Sequence, residues 1–445
     1  MLTGPPELPM EKRSIVVRIF RSFVEVFPKR KEAMKYLSLK AILLVGLLVL
    51  PMVAWAAEDL TDLLVKKGTI TKEEADSLQQ RGISPFIDKI TLYGDFRLRE
   101  ETEWYNSGGS ANNGKNVNRL RYRLRIGSDI SEGPVILHIR LASGTGGQTS
   151  TNQTEQSLSS QKAIWIDRAY VEVIQIPNLS LMGGRMANPF TVSLTGELVF
   201  DDDYNPEGFA EKYTLKLGDT GKAYATLGQV VLDGGAQGSL AQWLLGYQVG
   251  GEIKTDPVGI NLAVLYYTLA NGEKGTFSQN TVQDGNTRVG ATAELANSFN
   301  VIDATAAVTI KAAIPVTVSG DYVKNLQSTV QNATTKNQDT GYAVGFKVGS
   351  ASAANTAEFG YMYRVVQTDA TLADIADSDW GPNGGTNRKG HIVWTAYNFT
   401  KATQVKLKYY STLKDKASLP PTVYTGAGNV NPSFGRFQID FSVKF

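Results

Sequence analysis

NRLRYRLRIG, residues 118–127, decides the fold. Arg119, Arg121, Arg123 and Arg125 take every second position, and Leu120, Tyr122, Leu124 and Ile126 fill the positions between. Successive side chains of a β-strand point to opposite faces, so this stretch is a strand with one basic and one apolar face. A helix would turn about 100° per residue and mix the two sets.

The pattern recurs along the chain. ITLYGDFRLRE (90–100) sets Tyr93, Asp95, Arg97 and Arg99 against Leu92, Gly94, Phe96 and Leu98. VILHIRL (135–141), VKLKYY (405–410) and GRFQIDFSVKF (435–445) alternate in the same way. A soluble sandwich hides the apolar face in a core and wets the other. A transmembrane barrel turns the apolar face to lipid and the polar face to a lumen. The strands are about ten residues long, the length a tilted strand needs to cross a bilayer. Short and long connections alternate, as periplasmic turns and external loops do. The expected fold is all-β: a transmembrane antiparallel up-and-down barrel of about 16 strands, preceded by a short N-terminal helical segment. The sixteen include 287–298 and 304–324, and the alternation is unbroken only if 304–324 is one strand. Pro315 argues against an unbroken 304–324, and 18 strands is the alternative count.

An apolar run from Ala41 to Ala54 follows Lys35 and Lys40 and ends in Ala54-Trp55-Ala56. It is short for a membrane helix and has the layout of a secretory signal. The expected organisation is an over-extended start or extra leader at 1–33, a signal peptide at 34–56, a periplasmic helical segment at 57–85 and the barrel at 86–445. Within the helical segment, Leu60, Leu63 and Leu64 have helical spacing, and Thr71-Lys-Glu-Glu74 fits a capping box. Without residues 1–56 the chain has 36 basic and 39 acidic residues, a net charge of −3. That balance gives no footprint of a nucleic-acid binder. Cysteine is absent and only His138 and His391 are present, which excludes thiolate metal sites and leaves little for histidine catalysis.

Several stretches resemble a family of bacterial outer-membrane proteins described as putative porins. They are LYGDFRLREE, NRLRYRLRIG, RAYVEV, GGRMANPF, LVFDDDYNPEG, DSDWGPNGGTNRKGH and the terminal Phe445. The resemblance spans residues 89–445. It implies a sixteen-stranded, trimeric diffusion channel in the outer membrane, in contact with lipid and lipopolysaccharide. It also implies that the loop between the fifth and sixth strands folds inward.

The site expectations follow. Arg97, Arg99, Arg119, Arg121, Arg123, Arg125 and Arg140 form a basic pore wall, with Asp95, Glu100 and Glu101 pairing some of them. Glu197, Asp201, Asp202, Asp203 and Glu207 form an acidic constriction loop over roughly 187–206, and Arg185 reaches toward it. DSDWGPNGGTNRKGH (377–391) matches neither a calcium loop nor a phosphate loop. Its turn-forming residues read as an external loop folded over the barrel rim. Trp104, Tyr105, Trp165, Trp243, Tyr266, Tyr267, Trp394, Tyr409 and Tyr410 are candidates for interfacial girdles. No catalytic residue, metal or cofactor is expected. The expected function is passive diffusion of small hydrophilic solutes and ions. The alternatives are an anion- or phosphate-selective channel and a structural protein tethered to the cell wall through its N-terminal helices.

Overall fold

The computed structural model describes residues 71–72, 89–106, 116–192, 197–235, 241–271, 285–289, 294–295, 297–327, 338–382, 385–415 and 433–445. The expected leader, signal peptide and almost all of the helical segment lie outside them.

Sixteen antiparallel strands form the wall. They are β1 (Ile90–Asn106), β2 (Val117–Glu132), β3 (Val135–Ala142), β4 (Trp165–Val173), β5 (Leu179–Arg185), β6 (Glu207–Leu217), β7 (Gly221–Asp233) and β8 (Gln242–Lys254). They continue with β9 (Val258–Ala270), β10 (Asn300–Ile310), β11 (Val316–Asn325), β12 (Thr340–Gly349), β13 (Thr356–Val366), β14 (Arg388–Asn398), β15 (Thr403–Lys414) and β16 (Ser433–Lys444). Each pairs with its sequence neighbour, and β16 pairs back onto β1 from Asp95↔Lys444 to Asn106↔Ser433. Closure leaves no open edge, so the wall satisfies its own backbone groups as a lipid environment demands. A seventeenth strand of two residues, Gln153–Thr154, pairs with β2 beyond the end of β3.

Sixteen strands agree with the expected number, but two assignments behind it need correction. Residues 304–324 are not one strand. They belong to the hairpin β10–β11, which turns at Lys311–Pro315, where proline removes a ladder donor. The described residues of 287–298 supply no wall strand. Arg288–Val289 and Glu294–Leu295 instead make a small separate ladder inside a long connection. The two errors cancel in the count.

The strands are joined at one end by the long connections L1 (107–116), L2 (143–164), L3 (186–206), L4 (234–241), L5 (271–299), L6 (326–339), L7 (367–387) and L8 (415–432). The short turns and the chain terminus Phe445 lie at the other. Phe445 closes the seam by exchanging backbone hydrogen bonds with Gly94, 2.9 and 3.1 Å long. A Cβ on Gly94 would stand 2.4 Å from the Phe445 ring, so only glycine lets the ring lie there.

The outer face is apolar and open. Leu120, Ile126, Leu137, Ile139, Val171, Leu181, Phe209, Leu215, Val249, Leu262, Val264, Val318 and Val344 are all exposed, as a lipid-facing belt requires. The inner face is not uniformly polar. Toward the loop end, β7–β15 turn Val230, Leu244, Leu265, Tyr267, Val301, Val323, Met362, Ile392, Trp394 and Tyr410 inward. Phe190, Leu198, Val199, Phe200 and Tyr204 of L3, Phe299 of L5, and Leu372, Ile375 and Trp380 of L7 cover them. The barrel therefore has an apolar core on one side of its interior. Tyr267, Trp394 and Tyr410 belong to this core and not to a girdle. Trp104 and Tyr409 remain on the outer face, edge to face at 6.2 Å.

Candidate functional site: a charged cavity under two inward loops

L3 is anchored across the interior. Gly228 and Gly246 are cross-strand partners on the inner face of β7 and β8, and the Phe190 ring lies against both. Next to it, Gln248 accepts from the Thr191 backbone N–H at 2.7 Å and donates to its carbonyl at 2.9 Å. Phe190, Phe200 and Tyr204 stack in series at 5.5 and 5.9 Å. These contacts aim residues 197–203 at the opposite wall.

L7 is not at the rim, as expected for DSDWGPNGGTNRKGH. Thr368–Asp377, Trp380 and Gly381 are buried inside the barrel. Apolar Leu372, Ile375 and Trp380 draw the loop onto the inner core, and hydrogen bonds fix it there. Tyr267 Oη accepts from the Leu372 backbone N–H at 3.0 Å, and the Asp369 carboxylate accepts from Thr287 and Asn297. L7 and L3 are tied directly: Asp201 N–H donates to the Ile375 carbonyl, and Ser378 N–H to the Asp201 carboxylate, both at 2.8 Å. L2 joins them, with Gln148 Nε2 on the Asp374 carbonyl and Ser378 Oγ on the Thr149 carbonyl, both at 2.9 Å.

A cavity of about 420 Å³ lies between these loops and the wall formed by β1, β2, β15 and β16. Ala351, Ser352, Lys401 and Ala402 line it, placing its mouth at the turn end. Its described lining carries eight basic and eight acidic side chains. A larger hollow of about 580 Å³ lies beside β4–β6, but Lys212 and Glu172 are its only charged lining, among apolar Ile174, Ile176, Leu179 and Met182.

The structure divides the twelve expected residues. Arg97, Arg99, Arg123 and Arg125 line the charged cavity, as do Glu197, Asp201, Asp202 and Asp203. Asp203 meets Arg125 at 3.2 Å and Arg123 at 3.5 Å, so the acidic loop touches the basic wall. Arg99 pairs with Asp440 at 2.6 Å and Arg97 reaches Asp440 at 3.7 Å. Arg119, Arg121 and Arg140 share the inner face but not the cavity. Arg119 is held by Glu101 and Glu103, Arg121 by Glu101 at 3.4 Å, and Arg140 by Asp167.

Glu207 is a correction. It opens β6 on the outer face, exposed and paired with Arg185 at 2.9 Å, so neither residue reaches the cavity. Glu100 also falls on the outer side of β1. On β1 and β16, Asp95, Glu101, Glu103 and Asp440 pair with arginines instead.

Sequence reasoning missed most of the L7 and β15 contribution. Asp379 accepts from Arg436 at 2.9 Å, Arg99 at 3.3 Å and Gln438 at 3.0 Å. Asp377 accepts from Arg364 at 2.6 Å, and the Arg364 guanidinium lies 4.9 Å from the Trp380 ring. Lys406 and Lys408 project into the cavity and, among the described residues, have no ion-pair partner within 4 Å. Their place on the polar face of VKLKYY was legible. The signal for the inward loops was VGINLAVLYYTLA (258–270), which is apolar on both faces and therefore needs cover on both.

The loop carboxyls divide electrostatically. Burial raises Asp201 and Glu197 well above the usual carboxylate range, and the nearby Asp377 raises both further. Burial also opposes ionisation of Asp203 and Asp379. Arg123 and Arg125 outweigh it at Asp203, as Arg436 and Arg99 do at Asp379, and both acids stay below the usual range. Among the described residues no group of three or more His, Cys, Asp or Glu is arranged to hold a metal ion. His138 binds the Asp129 and Glu172 carboxylates and stacks on Tyr170, and His391 meets Tyr361 on the outer face.

This chain is similar to known proteins. OprB of Pseudomonas putida is 11% identical over 82% of this chain and 97% of its own, with a TM-score of 0.50. An anion-selective porin from Comamonas acidovorans is 11% identical over 80% and 99%, with a TM-score of 0.47. OmpF of Salmonella typhi, solved with daunomycin, is 12% identical over 80% and 97%, with a TM-score of 0.45. Such identities speak to the fold alone. No curated protein matches the chain. A family model described as putative porin matches residues 109–294 and 273–445, most of the barrel. The chain belongs to this putative porin family, as a porin-type channel of the outer membrane crossed many times by its strands.

Proposed function

We propose that the channel passes small hydrophilic solutes and ions by diffusion along the charged cavity. Solutes move between the wall of Arg97, Arg99, Arg123, Arg125, Lys406 and Lys408 and the acidic edge of Glu197, Asp201, Asp202 and Asp203. The observation that carries this reading is the cavity itself: opposite charges face each other beneath L3 and L7. Charged groups of both signs replace part of a polar solute's hydration and offer an apolar solute nothing. Equal numbers of basic and acidic lining groups support a mild ion preference over a strict anion filter. No bond is made or broken in this process.

The assembly is a homotrimer that meets through β3–β5. β3 and β5 have 8 and 7 residues, short of the about 9–11 needed to cross the hydrocarbon layer, and β4 between them has 9. A low wall bearing exposed Leu137, Ile139, Ile166, Val171 and Leu181 is better covered by protein than by lipid. Lipopolysaccharide surrounds the loop end. A cell-wall tether through residues 57–85 concerns residues almost all outside the described set, and deleting them should leave conductance intact.

Planar-bilayer recording of the purified protein, with reversal potentials under a salt gradient, tests the channel. Ohmic steps in groups of three with mild selectivity are expected. Absence of conductance would overturn the reading, and strong anion selectivity would replace it with the anion-selective alternative.

A further inference from the structure

We propose that the hollow beside β4–β6 binds a small amphipathic carboxylate, with its acid group on Lys212 and its aliphatic tail on Ile174, Ile176 and Met182. This goes beyond the channel reading and does not depend on it.

The register builds the site on the inner wall. Ser180 of β5 is the direct cross-strand partner of Lys212 of β6, and Met182, the next inward position of β5, is the partner of Glu172 on β4. Ala187, Asn188 and Pro189 of L3 cover the loop side of the hollow. Ile174, Ile176 and Asn178 belong to the β4–β5 turn and place its mouth at the turn end. A volume of about 580 Å³ is in the range of small-molecule sites, which are mostly apolar with a few placed polar groups.

The charge left over in the hollow is positive. Lys212 donates to the neutral Pro189 carbonyl at 3.3 Å and lies 5.3 Å from the Tyr224 ring, and among the described residues it has no ion-pair partner within 4 Å. An ammonium has three donors, so Lys212 has donors to spare. Glu172, the other charged lining residue, is already engaged: Oε1 accepts from Ser180 Oγ at 2.5 Å and Oε2 meets His138 Nε2 at 3.1 Å. Thr214 lies two residues from Lys212 on the same inward face, and its hydroxyl lines the hollow as a further donor. Burying a cation without a partner is costly, and a carboxylate removes that cost.

The rest of the lining selects the tail. Ile174 and Ile176 leave 47% and 54% of their surface open, and they share the hollow with Leu179 and Met182. An aliphatic chain takes this surface out of water. An inorganic anion would leave it wet, and an uncharged apolar molecule would leave Lys212 without a counter-charge.

Isothermal calorimetry of hexanoate with the full chain in lipid nanodiscs, with empty nanodiscs subtracted, tests the site. Saturable binding of one hexanoate per chain is expected. It should weaken about tenfold or more in K212M, which loses the charge-assisted bond. Propanoate should bind about tenfold more weakly than hexanoate, because it lacks three methylenes. Hexanamide should bind as weakly as hexanoate does to K212M. I174S/I176S should weaken hexanoate, and K406Q/K408Q, in the separate charged cavity, should leave it unchanged. Heat-modifiable migration on gels verifies that each barrel is folded. If K212M does not fold, the three ligands and I174S/I176S carry the comparison. Absence of saturable binding by the wild type overturns the proposal. So does wild-type affinity in K212M, equal affinity for hexanamide or for propanoate, wild-type affinity in I174S/I176S, or binding that is lost in K406Q/K408Q.

Discussion

Replacing Arg364 by Met removes the charge that fastens L7 inside the barrel and keeps much of the side-chain volume. The Arg364 side chain is 1% exposed and that of Asp377 is 2% exposed. The 2.6 Å pair joins β13 to L7, and Glu197 of L3 lies 3.8 Å from the same guanidinium. Without Arg364 the Asp377 carboxylate keeps, among the described residues, the 2.8 Å hydrogen bond from the Asp379 backbone. Removing one partner of a buried pair costs about 3–5 kcal/mol. At about 1.4 kcal/mol per decade, that shifts the docking equilibrium of L7 by roughly two to four decades. Larger or flickering single-channel conductance is expected, together with new proteolytic cleavage within residues 367–387. R364M/D377N, which also removes the stranded acid, should recover part of the wild-type behaviour. Wild-type conductance and an unchanged digest in R364M would refute the view that this pair holds the loop in the lumen.

Three further outcomes follow from the same geometry. Gly94→Val places a Cβ 2.4 Å from the Phe445 ring and 2.7 Å from the Arg125 carbonyl, and overpacking of this kind costs about 1–3 kcal/mol. Slower barrel closure is expected, read as a reduced heat-modifiable band during refolding. K406Q/K408Q removes cavity cations that, among the described residues, have no ion-pair partner within 4 Å, so the reversal potential should move toward cation preference while the fold is retained. Glu197 and Asp201 take up protons above the usual carboxylate range of about 4, so acidification should move the reversal potential toward anions well before that pH. E197Q/D201N should abolish this early shift. The stability sign is separate: the raised acids favour the docked loops as pH falls. Asp203 and Asp379, being depressed, contribute fully above the ordinary value and lose their pairing only below it.

NRLRYRLRIG by itself determined that β2 has a lipid face and a charged inner face, because a period of two survives in any strand whatever surrounds it. The barrel class and the basic side of the lumen were legible for that reason, whereas the count of sixteen rested on two strand assignments, 287–298 and 304–324, whose errors cancel. Alternation says which face a residue takes and nothing about what the inner face meets. Whether Arg123 faces open water or Asp203 depends on how far L3 crosses the interior, and Phe190 on Gly228 and Gly246 sets that distance. The place of L7 depends on Leu372, Ile375 and Trp380 finding the inward apolar residues of strands far away in sequence. Glu207 and Asp203 lie four residues apart, yet one ends on the outer wall and the other on the arginines. Local periodicity fixes orientation along one strand, whereas the site is assembled by contacts between segments up to about 340 residues apart, such as Arg99 with Asp440. Only closure of the barrel and docking of its loops decided those.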